Sequence, residues 1–302
     1  MTLTKAQILN QVAEQADAII ATHAPLSKHD IHSLKQCKII SVNSCGYNNV
    51  DVDAAIRAGI LLVNCPDYCV EEVADHTMAM ILSCAWGIFL FDRRVRENVW
   101  DFKSAGNLTR IRQSVLGLLG SGRFSRAVAT RARSFGMKVL AFDPIIADDV
   151  FHNTSIRRTG MQEILTEADY VSIHTPLNKN TANLISKNEL AMMKSSAFIV
   201  NTSRCGVVDE SALYEALTKG TIRGAALDVL EKEPPDANNA LLSLENVLIT
   251  PHAAFYSENT VEEARIRSAQ AVINVYKGML PDNIINNEII KNKKLRMIVN
   301  SD

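Results

Sequence analysis

Arg204, Glu233 and His252 are the residues of this chain whose types and placement best suit chemistry. Each stands soon after a short apolar run of strand length. Residues 197–201 precede Arg204, residues 224–229 precede Glu233-Pro234, and residues 247–250 precede Pro251-His252. An arginine fork matches the planar oxygens of a carboxylate or a carbonyl. A histidine carries a proton near neutral pH, and a nearby glutamate can hold its tautomer. Together the three suit the exchange of a hydride and a proton with a hydroxy acid. His174, at the end of the run 170–174, reads instead as a strand-end histidine with a satisfied hydrogen bond.

A hydride needs a carrier, and residues 115–144, VLGLLGSGRFSRAVATRARSFGMKVLAFDP, offer a cradle for one. The apolar run 115–119 ends at Gly120-Ser121-Gly122. Behind it Phe124, Val128, Ala132 and Phe135 recur at helical spacing, with Arg123, Arg126, Arg131 and Arg133 between them. Gly136 stops that helix, residues 139–142 make a second strand, and Asp143 ends it. In such a βαβ unit Gly120 permits the tight bend. Gly122 lets the backbone approach a pyrophosphate at the helix N-terminus. Asp143, about twenty residues further on, can accept from an adenosine ribose diol, which favours NAD over NADP. The third glycine of the pattern is Ser125, expected to strain the contact between helix and strand.

The elements that must position these groups alternate along the chain. Helices are expected over 5–15, with Thr4 as N-cap, and over 28–36 and 52–58, with strands over 17–21, 38–42 and 60–63. After Asp143 the rhythm continues with helices at 161–167, 187–193, 210–219 and 258–278. The remaining strands are 170–174, 197–201, 224–229 and 247–250. This alternation implies parallel α/β sheets, and ligands bind outside the carboxyl ends of their strands. Because the glycine turn lies in mid-chain and a long helix follows the last strand, a discontinuous first domain completed by the C-terminus is expected. The boundaries read as 1–88 with 258–302 for the substrate domain and 89–257 for the dinucleotide domain.

Composition narrows the partners. A net charge of −1 leaves no electrostatic footprint for nucleic acid, and the basic run 291–296 reads as a solvated tail. Residues 77–91, flanked by Asp75, His76 and Asp92, are the most apolar stretch. They are too short to span a bilayer and read as a buried or interface helix. Six cysteines without CxxC spacing read as reduced thiols of a cytoplasmic protein without a metal site. Cys65 and Cys69 are spaced to share a helical face.

The segments NTSRCGVVDE, GAALDVLEKEPP and TPHAAFYSE resemble the signatures of the D-isomer-specific 2-hydroxyacid dehydrogenases. The stretch RGAALDVLEKEPP, with HAAFYSE and KGMLPDNIIN, is most similar to the C-terminal binding protein branch. The resemblance implies a two-domain fold, a Rossmann-type doubly wound parallel sheet plus a smaller discontinuous flavodoxin-like α/β domain, here without a counterpart of its usual first strand. It implies an NAD-dependent oxidoreductase, a 2-oxoacid reductase, that is usually a homodimer with the apolar helix at its interface. Arg204, Glu233 and His252 fall on the family's catalytic positions. Coenzyme contacts are implied for Gly120, Gly122, Arg123, Phe124, Asp143, Thr175, Pro176, Thr181, Thr202, Ser203, Arg204, Asp228, His252 and Ala254. Contacts to the 2-oxo or 2-hydroxy acid are implied for Cys45, Gly46, Arg204 and Phe255.

The departures concern the substrate. The family's loop resembles RxGxGxDNID, whereas here Val42 replaces the arginine, Ser44 a glycine and Asn48 the aspartate. Cys205 stands where a glycine is usual, and Phe255 where the C-terminal binding protein branch carries Trp. A different reading therefore stands beside the enzyme: an NAD(H)-binding sensor of the same fold with little turnover. The complete Arg-Glu-His set favours the enzyme.

Overall fold

The computed structural model describes residues 15–22, 24–147, 151, 156–291 and 295–296. The helix expected over 5–15, with its cap at Thr4, lies outside them apart from Gln15. The stretch bearing on a missing first strand also lies outside them. The chain divides into two compact units, Met1–Tyr68 with Ser257–Asp302, and Cys69–Tyr256.

Unit 1 begins with β1 (Ala18–Ala21), α1 (Lys28–Ser33), β2 (Ile39–Val42), α2 (Val52–Ala58) and β3 (Leu61–Asn64). The three strands pair in parallel in the order β1-β2-β3. The central strand, IISV, is buried along its whole length, which suits β-branched side chains packed on both faces. Ser27 and Asp30 form a capping box at the start of α1. Asp51 caps α2 by accepting from the Ala54 N–H at 2.8 Å.

Unit 2 carries α3 (Val70–Trp86), α4 (Ile88–Arg96), β4 (Val115–Leu119), α5 (Arg123–Ser134), β5 (Lys138–Phe142), β6 (Arg157–Arg158), α6 (Met161–Glu167), β7 (Tyr170–Ile173), α7 (Lys187–Met192), β8 (Phe198–Asn201), α8 (Glu210–Thr218), β9 (Gly224–Leu227) and β10 (Val247–Ile249). All seven strands are parallel, in the order β10-β9-β8-β7-β4-β5-β6. The chain winds outward from β4 to β6, then returns to β7 and winds the other way. Strand order therefore reverses between β4 and β7, the switch point where such sheets bind ligands. Apolar clusters cover both faces, one around Ile164, Ile173 and Leu213, the other around Met80, Val128 and Val200. The remaining helices, α9 (Glu258–Tyr276) and α10 (Glu288–Lys291), return to unit 1, where α9 packs on β2 and β1. The parallel α/β class matches the sequence reading.

Several local expectations change. The apolar stretch 77–91 is not one helix. Gly87, at φ +59, ends α3, and α4 departs at 60°. A Cβ on Gly87 would meet Ala105 Cβ at 2.6 Å, so only glycine fits that corner. The buried face of α3, including Thr77, Met80 and Ile81, packs on α5, β8 and β9. Residues 70–86 consequently group with unit 2, earlier than the expected boundary after 88. Phe135 is not on the buried face of α5. It caps the helix end at 42% exposure, because Ser125, Val128, Ala129 and Ala132 form the face against the sheet. Cys65 precedes α3 and Cys69 caps it, so they share no helix. Arg296 is not a solvated tail residue, since it donates to the carbonyls of Leu34, Lys35 and Cys37. Among the described residues no single helix is long and apolar enough to cross a membrane.

Candidate active site

The carboxyl end of β4 turns at Gly120, whose φ is +98 and whose N–H donates to Phe142 O at 2.8 Å. A Cβ there would lie 2.7 Å from the His174 carbonyl oxygen, so the two strand ends can close only on glycine. Gly122 serves the opposite need. It caps α5, and nothing lies within 4 Å of its missing Cβ. Arg123 and Phe124 open the first turn of α5, where unpaired amides and the helix dipole favour an anion. Ser125 does not strain the packing as expected. Its buried hydroxyl donates to Gly120 O at 2.6 Å and braces the turn.

Asp143 ends β5 beside this turn. Its Oδ2 accepts from Ser121 N at 2.8 Å, and its Oδ1 accepts from Ile145 N at 2.9 Å and Ile146 N at 3.1 Å. Three backbone donors thus pin the carboxylate, two on Oδ1 and one on Oδ2, and Oδ2 keeps acceptor capacity. Among the described residues the buried hydroxyls of Ser121 and Thr175 have no hydrogen-bond partner. An open glycine cap, a helix N-terminus, a fixed carboxylate and two orphan hydroxyls fit a dinucleotide such as NAD.

At the ends of β7 and β8 the chain is tightly bonded to itself. His174 Nε2 pairs with Ser172 Oγ at 2.9 Å, and burial pulls its pKa down to about 4, so the ring is neutral. Thr181 Oγ1 donates to Pro176 O at 2.5 Å and accepts from Asn178 N at 2.8 Å. Asn201 Oδ1 accepts from the N–H and hydroxyl of Ser203, and Asn201 Nδ2 donates to Arg204 O at 3.0 Å. Thr202 Oγ1 meets Thr77 Oγ1 at 2.9 Å. Arg204 Nη1 donates to Ser203 O at 2.7 Å. Burial pushes the Cys205 thiol up, which makes it a poor nucleophile at neutral pH.

The ends of β9 and β10 hold the proton-bearing groups. His252, at φ +52, donates its N–H to Asp228 O at 2.8 Å. Its Nδ1 lies 2.7 Å from Glu233 Oε2, and Glu233 Oε1 accepts from Leu230 N at 2.9 Å. A carboxylate that only accepts suits the tautomer with its proton on Nδ1 and Nε2 turned away from Glu233. Phe255 stands edge-on, 6.3 Å from the imidazole. Asp228, only 2% exposed, accepts from Thr250 Oγ1 at 2.5 Å, Ala253 N at 2.8 Å and Ala254 N at 2.9 Å. Sequence reasoning paired Glu233 with His252 but missed His76, whose Nε2 lies 3.0 Å from Thr250 Oγ1. In the sequence His76 only flanks the apolar stretch, and a lone helical histidine carries no signal of its partner.

In unit 1 the loop after β2 is held by its own contacts. Ser44 Oγ donates to Gly46 O at 2.8 Å, Asn64 Nδ2 to Cys45 O at 2.6 Å, and Cys45 Sγ lies 3.4 Å from Pro66 O. Val42, at the position of the family's loop arginine, is fully buried with Ala21, Leu26 and Ile40. An arginine introduced there would be buried in the core of this unit.

The chain is similar to several known proteins. Glyoxylate reductase of Korarchaeum cryptofilum is 35% identical over 94% of this chain and 87% of its own length. D-3-phosphoglycerate dehydrogenase of Methanocaldococcus jannaschii is 34% identical over 97% of this chain but 56% of its own length. The chain thus spans little more than half of that relative. Among solved structures, D-lactate dehydrogenase from Aquifex aeolicus complexed with NAD and lactic acid is 29% identical. It matches with a TM-score of 0.82 over 97% of this chain and 90% of that one. Residues 78–254, well over half of the chain, match the NAD binding domain of the D-isomer specific 2-hydroxyacid dehydrogenases, and the chain belongs to that family.

Proposed function

We propose that the protein is an NAD-dependent 2-oxoacid reductase, producing small D-2-hydroxy acids. The observation that carries this reading is the 2.7 Å contact between His252 Nδ1 and Glu233 Oε2, which leaves Nε2 as the proton donor. When bound, the nicotinamide supplies the hydride that the 2-oxo carbon receives. His252 gives its Nε2 proton to the carbonyl oxygen and is left neutral. Its ring is 40% exposed, so solvent can return the proton. Glu233 remains a carboxylate throughout and keeps the ring in one orientation. Arg204 holds the substrate carboxylate and polarises the carbonyl, while Phe255 contributes to substrate binding.

On the coenzyme side, Gly120, Gly122, Arg123 and Phe124 cradle the pyrophosphate and Asp143 receives the ribose diol. Thr175, Pro176, Thr181, Thr202, Ser203, Arg204, Asp228, His252 and Ala254 complete the coenzyme contacts, with Asp228 near the nicotinamide amide. The likeness of RGAALDVLEKEPP to the C-terminal binding protein branch rests on those residues, and it leaves the substrate class unchanged. The six free cysteines suit the reducing cytoplasm. Exposed Trp86, Ile88, Trp100 (90%) and Phe102 (81%) support a homodimer through the α3–α4 region. Light scattering of Trp100→Glu, expected to be monomeric, tests that assembly.

The activity is tested by NADH oxidation against glyoxylate, hydroxypyruvate and pyruvate. Turnover of at least one that is abolished in His252→Ala supports the reading. Tight NADH binding without turnover on any 2-oxo acid would replace it with the sensor.

A further inference from the structure

We propose that His76, in α3, is a positioning residue for His252, acting through Thr250 and Asp228. The inference rests on the role proposed for His252 above. The chain of contacts is continuous: His76 Nε2 lies 3.0 Å from Thr250 Oγ1, and Thr250 Oγ1 lies 2.5 Å from Asp228 Oδ1. His76 Nε2 itself stands 3.6 Å from the carboxylate, so the hydroxyl is the shorter path.

Proton direction along this chain is fixed by its far end. The Thr250 hydroxyl donates to the buried Asp228 Oδ1, so its proton points away from His76. The Thr250 oxygen must then accept from His76, which places a proton on Nε2 of that ring. Asp228 uses the same carboxylate to receive the N–H groups of Ala253 and Ala254, and its own carbonyl receives the N–H of His252. The turn that presents His252 at φ +52 is thus hung on Asp228 from both sides of the residue.

The bracing is needed because β10 is a three-residue strand at the edge of the sheet, paired with β9 alone. An edge strand by itself would leave residues 250–254 free to shift. The donor on α3, a helix packed against the same sheet, ties that turn to the body of unit 2. Removing it leaves the Thr250 hydroxyl bonded to Asp228 but cuts the tie between α3 and the turn, and so loosens the imidazole. It leaves the glycine turn untouched.

The test uses the full chain with NADH and glyoxylate, in wild type, His76→Leu, His76→Gln, Thr250→Val and the Leu/Val double variant. Loss of one half-buried hydrogen bond predicts a kcat lowered about tenfold in His76→Leu and in Thr250→Val, with the NADH Kd within about twofold. The double variant should be no worse than the poorer single, because both cut the same chain. His76→Gln, whose amide can donate in place of the ring, should recover to within about threefold. Additive losses, or a His76→Leu enzyme with wild-type kcat, would overturn the inference. Proton NMR of the His252–Glu233 hydrogen bond gives a readout independent of turnover, and the resonance should move in His76→Leu. If wild type reduces no 2-oxo acid, the proposed function fails. The resonance then decides alone: a shift sustains the role of His76, and an unmoved line removes it. Should His76→Leu not fold, Thr250→Val and His76→Gln carry the same comparison.

Discussion

The turn after β4 and the turn after β10 are both strand-end corners with a residue at positive φ, yet they are built from opposite materials. Around Gly120 and Gly122 the structure is made of missing side chains, one glycine without room for a Cβ and one beside open space. Around His252 it is made of side chains that carry or receive protons, namely Asp228, Thr250, Glu233 and His76. A cradle of backbone amides is indifferent to chemistry and sensitive to bulk. A relay of carboxylate, hydroxyl and imidazole is indifferent to bulk within limits and sensitive to single atoms. On the proposed function, the contrast assigns coenzyme binding to the first corner and turnover to the second.

The largest expected effect tests that separation. His252→Ala should lower kcat by roughly a hundredfold to ten-thousandfold while NADH affinity stays within a few-fold. An equal collapse of NADH binding would show that the two corners are not separable.

His174 sharpens the comparison because its carbonyl shapes the Gly120 corner while its ring only needs to stay neutral. Burial lowers its pKa from 6.5 to about 4. Between those values the unfolded chain binds a proton that the folded chain does not. Stability should be intact above pH 6.5 and fall as the pH drops toward 4, by at most about 3 kcal/mol. Urea melts of wild type and His174→Gln across that window check the sign, and the variant should show a flatter dependence. Parallel curves would mean another group drives the acid loss.

Gly122→Val should leave the melting temperature nearly unchanged, since its Cβ position is open, yet weaken NADH by roughly tenfold to a hundredfold by filling the pyrophosphate approach. Gly120→Val should do the reverse and cost stability, by about 1–3 kcal/mol for the forced conformation alone. Calorimetry of both variants with and without NADH measures the pair, and matching behaviour would erase the contrast. The smallest change is expected from Asp143→Ala, whose NADH-over-NADPH preference should drop about tenfold with the loss of one charged acceptor. An unchanged ratio would take the ribose from Asp143.

Much of this was legible in the sequence because the strands of a buried parallel sheet write themselves as short apolar runs. VLGLL, YVSI and FIVN all became strands within a residue of their expected ends. Reading the residues after each run then found Arg204, Glu233 and His252 without any knowledge of pairing. The misses share a different cause. Arg157–Arg158 forms an edge strand through backbone bonds to β5 alone, with both side chains exposed, so no apolar pattern marks it. The bend at Gly87 depends on Ala105, a neighbour distant in sequence. Ser125 looked like a flawed glycine because its value lies in one hydrogen bond back to Gly120. His76 and Thr250 are 174 positions apart, and only the folded sheet introduces them.

The position of β10 also bears on how the protein breathes. Val247–Ile249 has a partner on one side only, whereas β4 is flanked by β5 and β7. Amide hydrogen exchange should therefore begin at 247–250 long before it reaches 115–119. On the proposed function, such fraying would swing His252 out of register while the turn at Gly120 and Gly122 keeps its hold on the coenzyme. Bound coenzyme would then outlast many brief intervals in which the molecule cannot react.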